Sequence, residues 1–161
     1  MIPHSLYEDA ASLLEACRVR GVKLSIAESC TGGLVAAALT AIAGSSDVVE
    51  SGFVAYSNAA KIEMLGVPAE MIARHGAVSE EVVRTMALGA LTRSHASIAV
   101  SVAGIAGPGG GTPEKPVGLM CFALVVRGRD VASERRVFVG DRAEVRRASV
   151  VHVFGMIRSS L

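Results

Sequence analysis

Residues 97–103 read Ser-Ile-Ala-Val-Ser-Val-Ala, an uncharged and nearly unbroken apolar run that feeds straight into a loop rich in glycine and proline. A strand with no polar face must be covered on both sides, as in sheets that carry helices above and below. That requirement governs how the remaining segments are read. Apolar residues make up 51% of the 161-residue chain and aromatics only 4%, so the covering layers must be built from Ala, Val, Ile and Leu. A length of this order fits one domain, taken as residues 1–161, and no linker or repeat divides it.

The other elements follow from periodicity and punctuation. Ser5 with Glu8 reads as a capping box. Leu6, Ala10, Leu13, Leu14 and Cys17 then give one apolar helical face, and Gly21 stops the helix. Residues 22–28 alternate like a strand, and residues 30–43 read as a small-residue helix. Residues 49–56 suggest a strand. Short helices at 58–65 and 69–75 end at Gly66 and Gly76, and Ser79 caps a longer helix whose Glu80 and Glu81 suit its dipole. Strands at 117–127 and 130–139 meet at an Arg127-Gly128-Arg129 turn. Asp141 and Glu144 open a last helix with an apolar stripe of Val150, Val153, Phe154 and Ile157. The order α-β-α-β-α-α-α-β-β-β-α predicts an α/β protein, a three-layer α/β/α sandwich with a mixed, partly parallel sheet.

Bulk properties narrow the function classes. Net charge is +1, which gives no general affinity for polyanions. Residues 127–161 nevertheless hold eight Arg against four acids, either a solvated face or a phosphate site suited to the guanidinium fork. Nucleic-acid binding is disfavoured by the near-neutral charge and scarce aromatics. Cys17, Cys30 and Cys121 are an odd set that points to a reducing compartment. The charged N-terminus is not a signal peptide, and the apolar stretch from Leu34 to Ala43 is too short for a bilayer. A cytoplasmic protein is expected. His4, His75, His95 and His152 show no metal spacing, so no metal and no cofactor are expected.

Three segments carry chemistry. Glu28-Ser29-Cys30-Thr31-Gly32-Gly33 follows a strand and opens a helix, where unpaired N–H groups suit an anion or oxyanion. Ser29 is the better nucleophile candidate, because Cys30 has no His near it in sequence. In Tyr56-Ser57-Asn58-Ala59-Ala60-Lys61, Asn58 or Ser57 caps a short helix and Lys61 falls in its first turn. The helix dipole and apolar neighbours both lower a lysine pKa there, giving a general base that Tyr56 can polarise. The loop 104–116, with five glycines and three prolines, leaves a buried strand where α/β proteins place ligands. It is neither a P-loop nor a dinucleotide fingerprint.

These segments also carry a resemblance. AESCTGG, FVAYSNAAK, LGV, HGAVS, AGIAGPGGGTPEKPVG and FVGDR, in this order, resemble the C-terminal domain of the competence/damage-inducible CinA family over about residues 6 to 158. Stand-alone members of that family include nicotinamide-nucleotide amidohydrolases. The larger members carry an additional N-terminal domain that a 161-residue chain cannot contain. The resemblance implies a three-layer α/β sandwich that hydrolyses the carboxamide of nicotinamide mononucleotide (NMN) without a metal, a step of NAD salvage. It implies Ser29 as nucleophile, with Lys61 and Tyr56 as its catalytic partners. It places Cys30, Thr31, Gly32, Gly33, Asn58, Gly104, Ile105, Ala106, Gly107 and Arg142 among the substrate-binding positions. A homodimer is expected. Where the family often reads Thr-Gly-Ile-Ala-Gly-Pro, this chain has Ala103, so a hydroxyl is missing near the site. That leaves an alternative function, a nucleotide-binding or regulatory module without turnover.

Overall fold

The computed structural model describes residues 4–161. Five strands, β1 (Leu24–Glu28), β2 (Val49–Val54), β3 (Ile98–Gly104), β4 (Leu119–Val126) and β5 (Ala132–Val137), form one sheet in the order β2-β1-β3-β4-β5. β1 runs parallel to β2 and β3, whereas β4 is antiparallel to both β3 and β5. Parallel neighbours need crossovers. α2 (Leu34–Thr40) supplies the first, and α3 (Asn58–Leu65), α4 (Ala69–His75) and α5 (Glu80–Thr92) supply the second. α1 (His4–Val19) precedes the sheet and α6 (Arg142–Ser160) follows it.

Two cores result, one on each face. Leu6, Leu13 and Leu14 of α1, Val35 and Leu39 of α2, and Val150, Val153, Phe154 and Ile157 of α6 pack on Ile26, Val100 and Phe122. The opposite face joins Leu65 of α3 and Val82, Met86 and Ala90 of α5 to Ala99, Ala103 and Ala123. Small side chains let that second layer come close to the sheet. At Gly89 even a Cβ would strike the Leu65 carbonyl, so α3 and α5 touch backbone to backbone. The three-layer α/β/α sandwich with a mixed sheet is therefore observed. Among the described residues no helix is long and apolar enough to cross a membrane.

The turn signals placed most boundaries. Gly66 and Gly76 end α3 and α4, Ser79 accepts the Val82 N–H, and Asp141 with Glu144 forms a complete capping box on α6. Three expectations need correction. α1 already includes His4, so Ser5 stands inside its first turn instead of capping it. β1 does not alternate: all five residues are buried, because it is an interior strand with helices on both faces. The helix expected over residues 30–43 shrinks to Leu34–Thr40, because Gly32 (φ 59°) and Gly33 (φ 90°) adopt left-handed conformations incompatible with a right-handed helix.

Candidate active site

The parallel strands β1, β2 and β3 point their C-terminal ends the same way, and each is followed by one of the three segments singled out in the sequence. Ser29 leaves β1, Tyr56 and Lys61 follow β2, and the Gly-rich loop leaves β3. The fold thereby gathers residues far apart in the chain. α6 closes the group from the side. Arg142 donates through Nη1 to Gly107 O (3.1 Å) and through Nη2 to Tyr56 Oη (3.0 Å), which ties the Gly-rich loop to the tyrosine.

Lys61 has the environment of a base. Ser57 caps α3 by accepting the Ala60 N–H at 3.0 Å, which puts Lys61 in the first turn. Only 2% of the Lys61 surface is exposed, yet it has no carboxylate partner among the described residues. Burial pushes its amine below the ordinary lysine value, with the neighbouring Cys30 sulfur acting weakly the other way. Nζ donates to Tyr56 O at 3.2 Å and makes no hydrogen bond to the Ser29 hydroxyl. Tyr56 itself is exposed, and its hydroxyl faces Arg142 and not Lys61.

The turn after β1 departs from the expectation of a free helix N-terminus. The buried Glu28 carboxylate folds forward and accepts the N–H groups of Gly33 (3.1 Å), Val35 (3.1 Å) and Ala36 (2.9 Å). It satisfies the first turn of α2 from within the protein, so those donors are closed to a ligand. Ser29 N–H donates to Val102 O, Gly32 N–H to Ser29 O and Leu34 N–H to Thr31 O. The N–H groups of Cys30 and Thr31 donate to no other residue among the described residues. Glu28 was not anticipated as a site residue. Its signal was the carboxylate at the last position of a buried strand, directly before a helix.

Cys30 sits in a buried setting that disfavours its thiolate. Its thiol lies 3.8 Å from Met120 Sδ and is pushed up to about 11 by burial, which outweighs its own backbone N–H and the nearby Arg142, Arg146 and Lys61. Arg146, a second residue not anticipated, donates from Nη2 to Thr31 O at 2.7 Å. It stands one helical turn beyond Arg142, and that spacing was the available signal. The C-terminal arginines therefore divide. Arg127 binds the carbonyls of Leu91, Ser94 and Ala96, and Arg158 pairs with Asp9, whereas Arg142 and Arg146 enter the site.

The remaining expected substrate positions fall into different environments. Ala106, Pro108, Val117, Asp141, Arg142 and Arg146 line a cleft of about 630 Å³ between the loop and α6. Thr31 is fully buried, and its Oγ1 has no partner. Gly104 serves packing: a Cβ there would lie 2.7 Å from Leu119 O and collide with Met120. Both backbone groups of Ile105 are used at the loop base, with Leu119 O and Gly118 N. Asn58 is exposed and is the first residue of α3, its capping role taken by Ser57. Ala103 faces α3 and α5, fully buried.

Comparison with known proteins gives a consistent answer. The nicotinamide-nucleotide amidohydrolase PncC of Escherichia coli K12 is 51% identical over 138 residues, covering 86% of this chain and 84% of that protein. A putative competence-damage inducible protein of Symbiobacterium thermophilum is 54% identical over 150 residues, but this chain spans only 35% of its length. Among solved structures, the competence/damage inducible protein CihA of Agrobacterium tumefaciens superposes with a TM-score of 0.94 at 47% identity, covering 99% of this chain and 97% of that one. The CinA C-terminal domain matches residues 7–161. With the motifs, the sheet topology and these relatives in agreement, the chain belongs to the CinA C-terminal domain family.

Proposed function

We propose that this protein hydrolyses the carboxamide of NMN to nicotinic acid mononucleotide and ammonia by a Ser-Lys acyl-transfer mechanism. The observation that carries the reading is the buried, carboxylate-free Lys61 in the first turn of α3, beside the strand end that presents Ser29. The half-identical relative PncC, named for this activity, supports the substrate.

Lys61 Nζ, released from Tyr56 O, takes the proton of Ser29 Oγ as that oxygen attacks the carboxamide carbon. The carbonyl electron pair moves to oxygen, where the N–H groups of Cys30 and Thr31 receive it. Collapse of the intermediate breaks the C–N bond, and the Lys61 ammonium returns its proton to the departing nitrogen, which leaves as ammonia. Water then adds to the ester, gives a proton to Lys61 and expels Ser29 Oγ, which takes that proton back. Tyr56 contributes its carbonyl to Lys61 and its hydroxyl to Arg142, and Arg142 meets the substrate phosphate. The mechanism uses only this chain and water.

The decisive measurement is ammonia release from NMN by the wild type, Ser29→Ala, Lys61→Ala and Cys30→Ala. The wild type and Cys30→Ala are expected to be active, with the other two lowered by at least about 100-fold. Activity lost in Cys30→Ala and kept in Ser29→Ala would transfer the nucleophile to the thiol. Tight NMN binding without ammonia would leave a binding module. The homodimer is part of the proposal. It is supported by Val137, Val139 and Val151, exposed near the free edge at β5, and sedimentation velocity checks it.

A further inference from the structure

Arg146 belongs to two places at once. It lines the cleft between the Gly-rich loop and α6, together with Arg142. It also reaches the turn after β1, where Nη2 donates to Thr31 O at 2.7 Å and lies 3.6 Å from the position a Gly32 Cβ would take. Thr31 O and Gly32 N belong to one peptide plane. The other end of that plane is fixed too, since Gly32 N–H donates to Ser29 O at 2.9 Å. The peptide is thus clamped from both ends, and Arg146 is one jaw.

The clamp acts on a segment that needs one. Gly32 and Gly33 both have positive φ and no side chain to anchor them, and the N–H groups of Cys30 and Thr31, the oxyanion donors of the mechanism proposed above, immediately precede that peptide. A small rotation about this turn re-aims both donors, and oxyanion stabilisation depends steeply on donor placement. Arg146 Nε and Thr31 Oγ1 are both buried without a partner, so this corner of the site is not internally saturated. Arg142 is bound differently. Its two terminal nitrogens already hold Gly107 O and Tyr56 Oη.

Resting on the amidohydrolase reading above, we infer that Arg146 is a positioning residue that couples the substrate's phosphate to the oxyanion-binding turn. An anion in the cleft fixes the guanidinium, the guanidinium fixes the Thr31–Gly32 peptide, and that peptide fixes the donors. Phosphate binding is then expressed in kcat as well as in KM, because energy from a non-reacting part of the substrate orients the reacting centre. The device separates a nucleotide from a nucleoside by rate.

The test compares NMN with nicotinamide riboside, which carries the same carboxamide without the phosphate, in the presence and absence of inorganic phosphite. For the wild type, loss of the phosphate is expected to lower kcat by about 100-fold, and phosphite to restore about tenfold of it. In Arg146→Ala, kcat for NMN falls, the difference between the substrates shrinks and phosphite no longer rescues. Arg146→Lys, which keeps the charge but not the fork, is expected to fall between the two. Equal kcat for both substrates in the wild type, with only KM changed, overturns the inference. So does phosphite rescue that survives intact in Arg146→Ala. The wild-type substrate comparison needs no variant and stands even if Arg146→Ala does not fold. Failure of the wild type to release ammonia from NMN is a different result: it removes the amidohydrolase reading, and this inference with it.

Discussion

Lys61 shows how one buried cation ties activity to stability. Its folded-state pKa is lowered by burial, so the folded protein gives up this proton more readily than the unfolded chain does. The destabilisation is fully present below the folded pKa and is relieved as pH rises from there towards the ordinary value of 10.5. The proposed mechanism needs this amine neutral, so kcat/KM for NMN is expected to rise through the same lowered pKa, giving an acidic limb that a pH-rate profile would reveal. Lys61→Met should abolish turnover and yet melt about 2–4 °C higher at neutral pH, with the gain shrinking in alkaline buffer. A variant less stable at neutral pH than the wild type would contradict a charge-burial cost at this position. Thr31 is the second case. Its Oγ1 is buried without a partner, so Thr31→Val is expected to be neutral or to stabilise by about 1 kcal/mol in urea denaturation.

At the scale of elements, the joint between β1 and α2 positions Ser29, the proposed nucleophile. Glu28 ends the strand, and its carboxylate receives three N–H groups at the start of the helix. Ser29, Cys30 and Thr31 are the residues spanned by that bridge. Glu28→Ala would leave three donors unpaired in a largely water-free corner and is expected to cost about 2–4 kcal/mol, read from the urea midpoint. Glu28→Gln keeps an acceptor oxygen and should lose less. Because the bridge sets the path of the turn, kcat should fall in both variants before global unfolding is detectable. α6 is the complementary element: its N-terminal turns carry Arg142 and Arg146 into the site, while its later turns are anchored in the core.

For the whole molecule, the site depends on two helical layers meeting over the ends of three parallel strands. Lys61 comes from the α3 side and Arg142 and Arg146 from the α6 side, so neither layer holds the chemistry alone. Phe154 is fully buried where α6 packs on the sheet. Phe154→Ala is expected to cost about 3–5 kcal/mol. If α6 shifts into the space, the KM for NMN should rise as well, a pairing that calorimetry and steady-state kinetics on the same sample would establish. A loss of stability with unchanged KM would mean that the N-terminal turns of α6 are held by Arg142 and Arg146 themselves.

Much of this was readable from the chain. Local signals fix local outcomes: glycines at residues 66 and 76 ended helices because both take a positive φ that other residues adopt only with strain, and Ser79 and Asp141 began helices because their oxygens meet free N–H groups. The apolar run at 97–103 announced a covered sheet, and strand–helix alternation announced its parallel part. Lys61 in a first turn, beside apolar neighbours, was legible as a lysine of lowered pKa for the same local reason. Contacts between distant residues were not legible, since no periodicity records them. Sequence alone left the N-terminus of α2 open to an anion, whereas the forward turn of Glu28 closes it; the acidic side chain was visible, but its direction was not. Arg146 looked like any other arginine of a basic helix until folding set it against Thr31, 115 positions away in the chain. Pattern determined which elements form and which faces they bury; only the packing of the two layers decided which polar groups meet, because that depends on distances the linear chain does not contain.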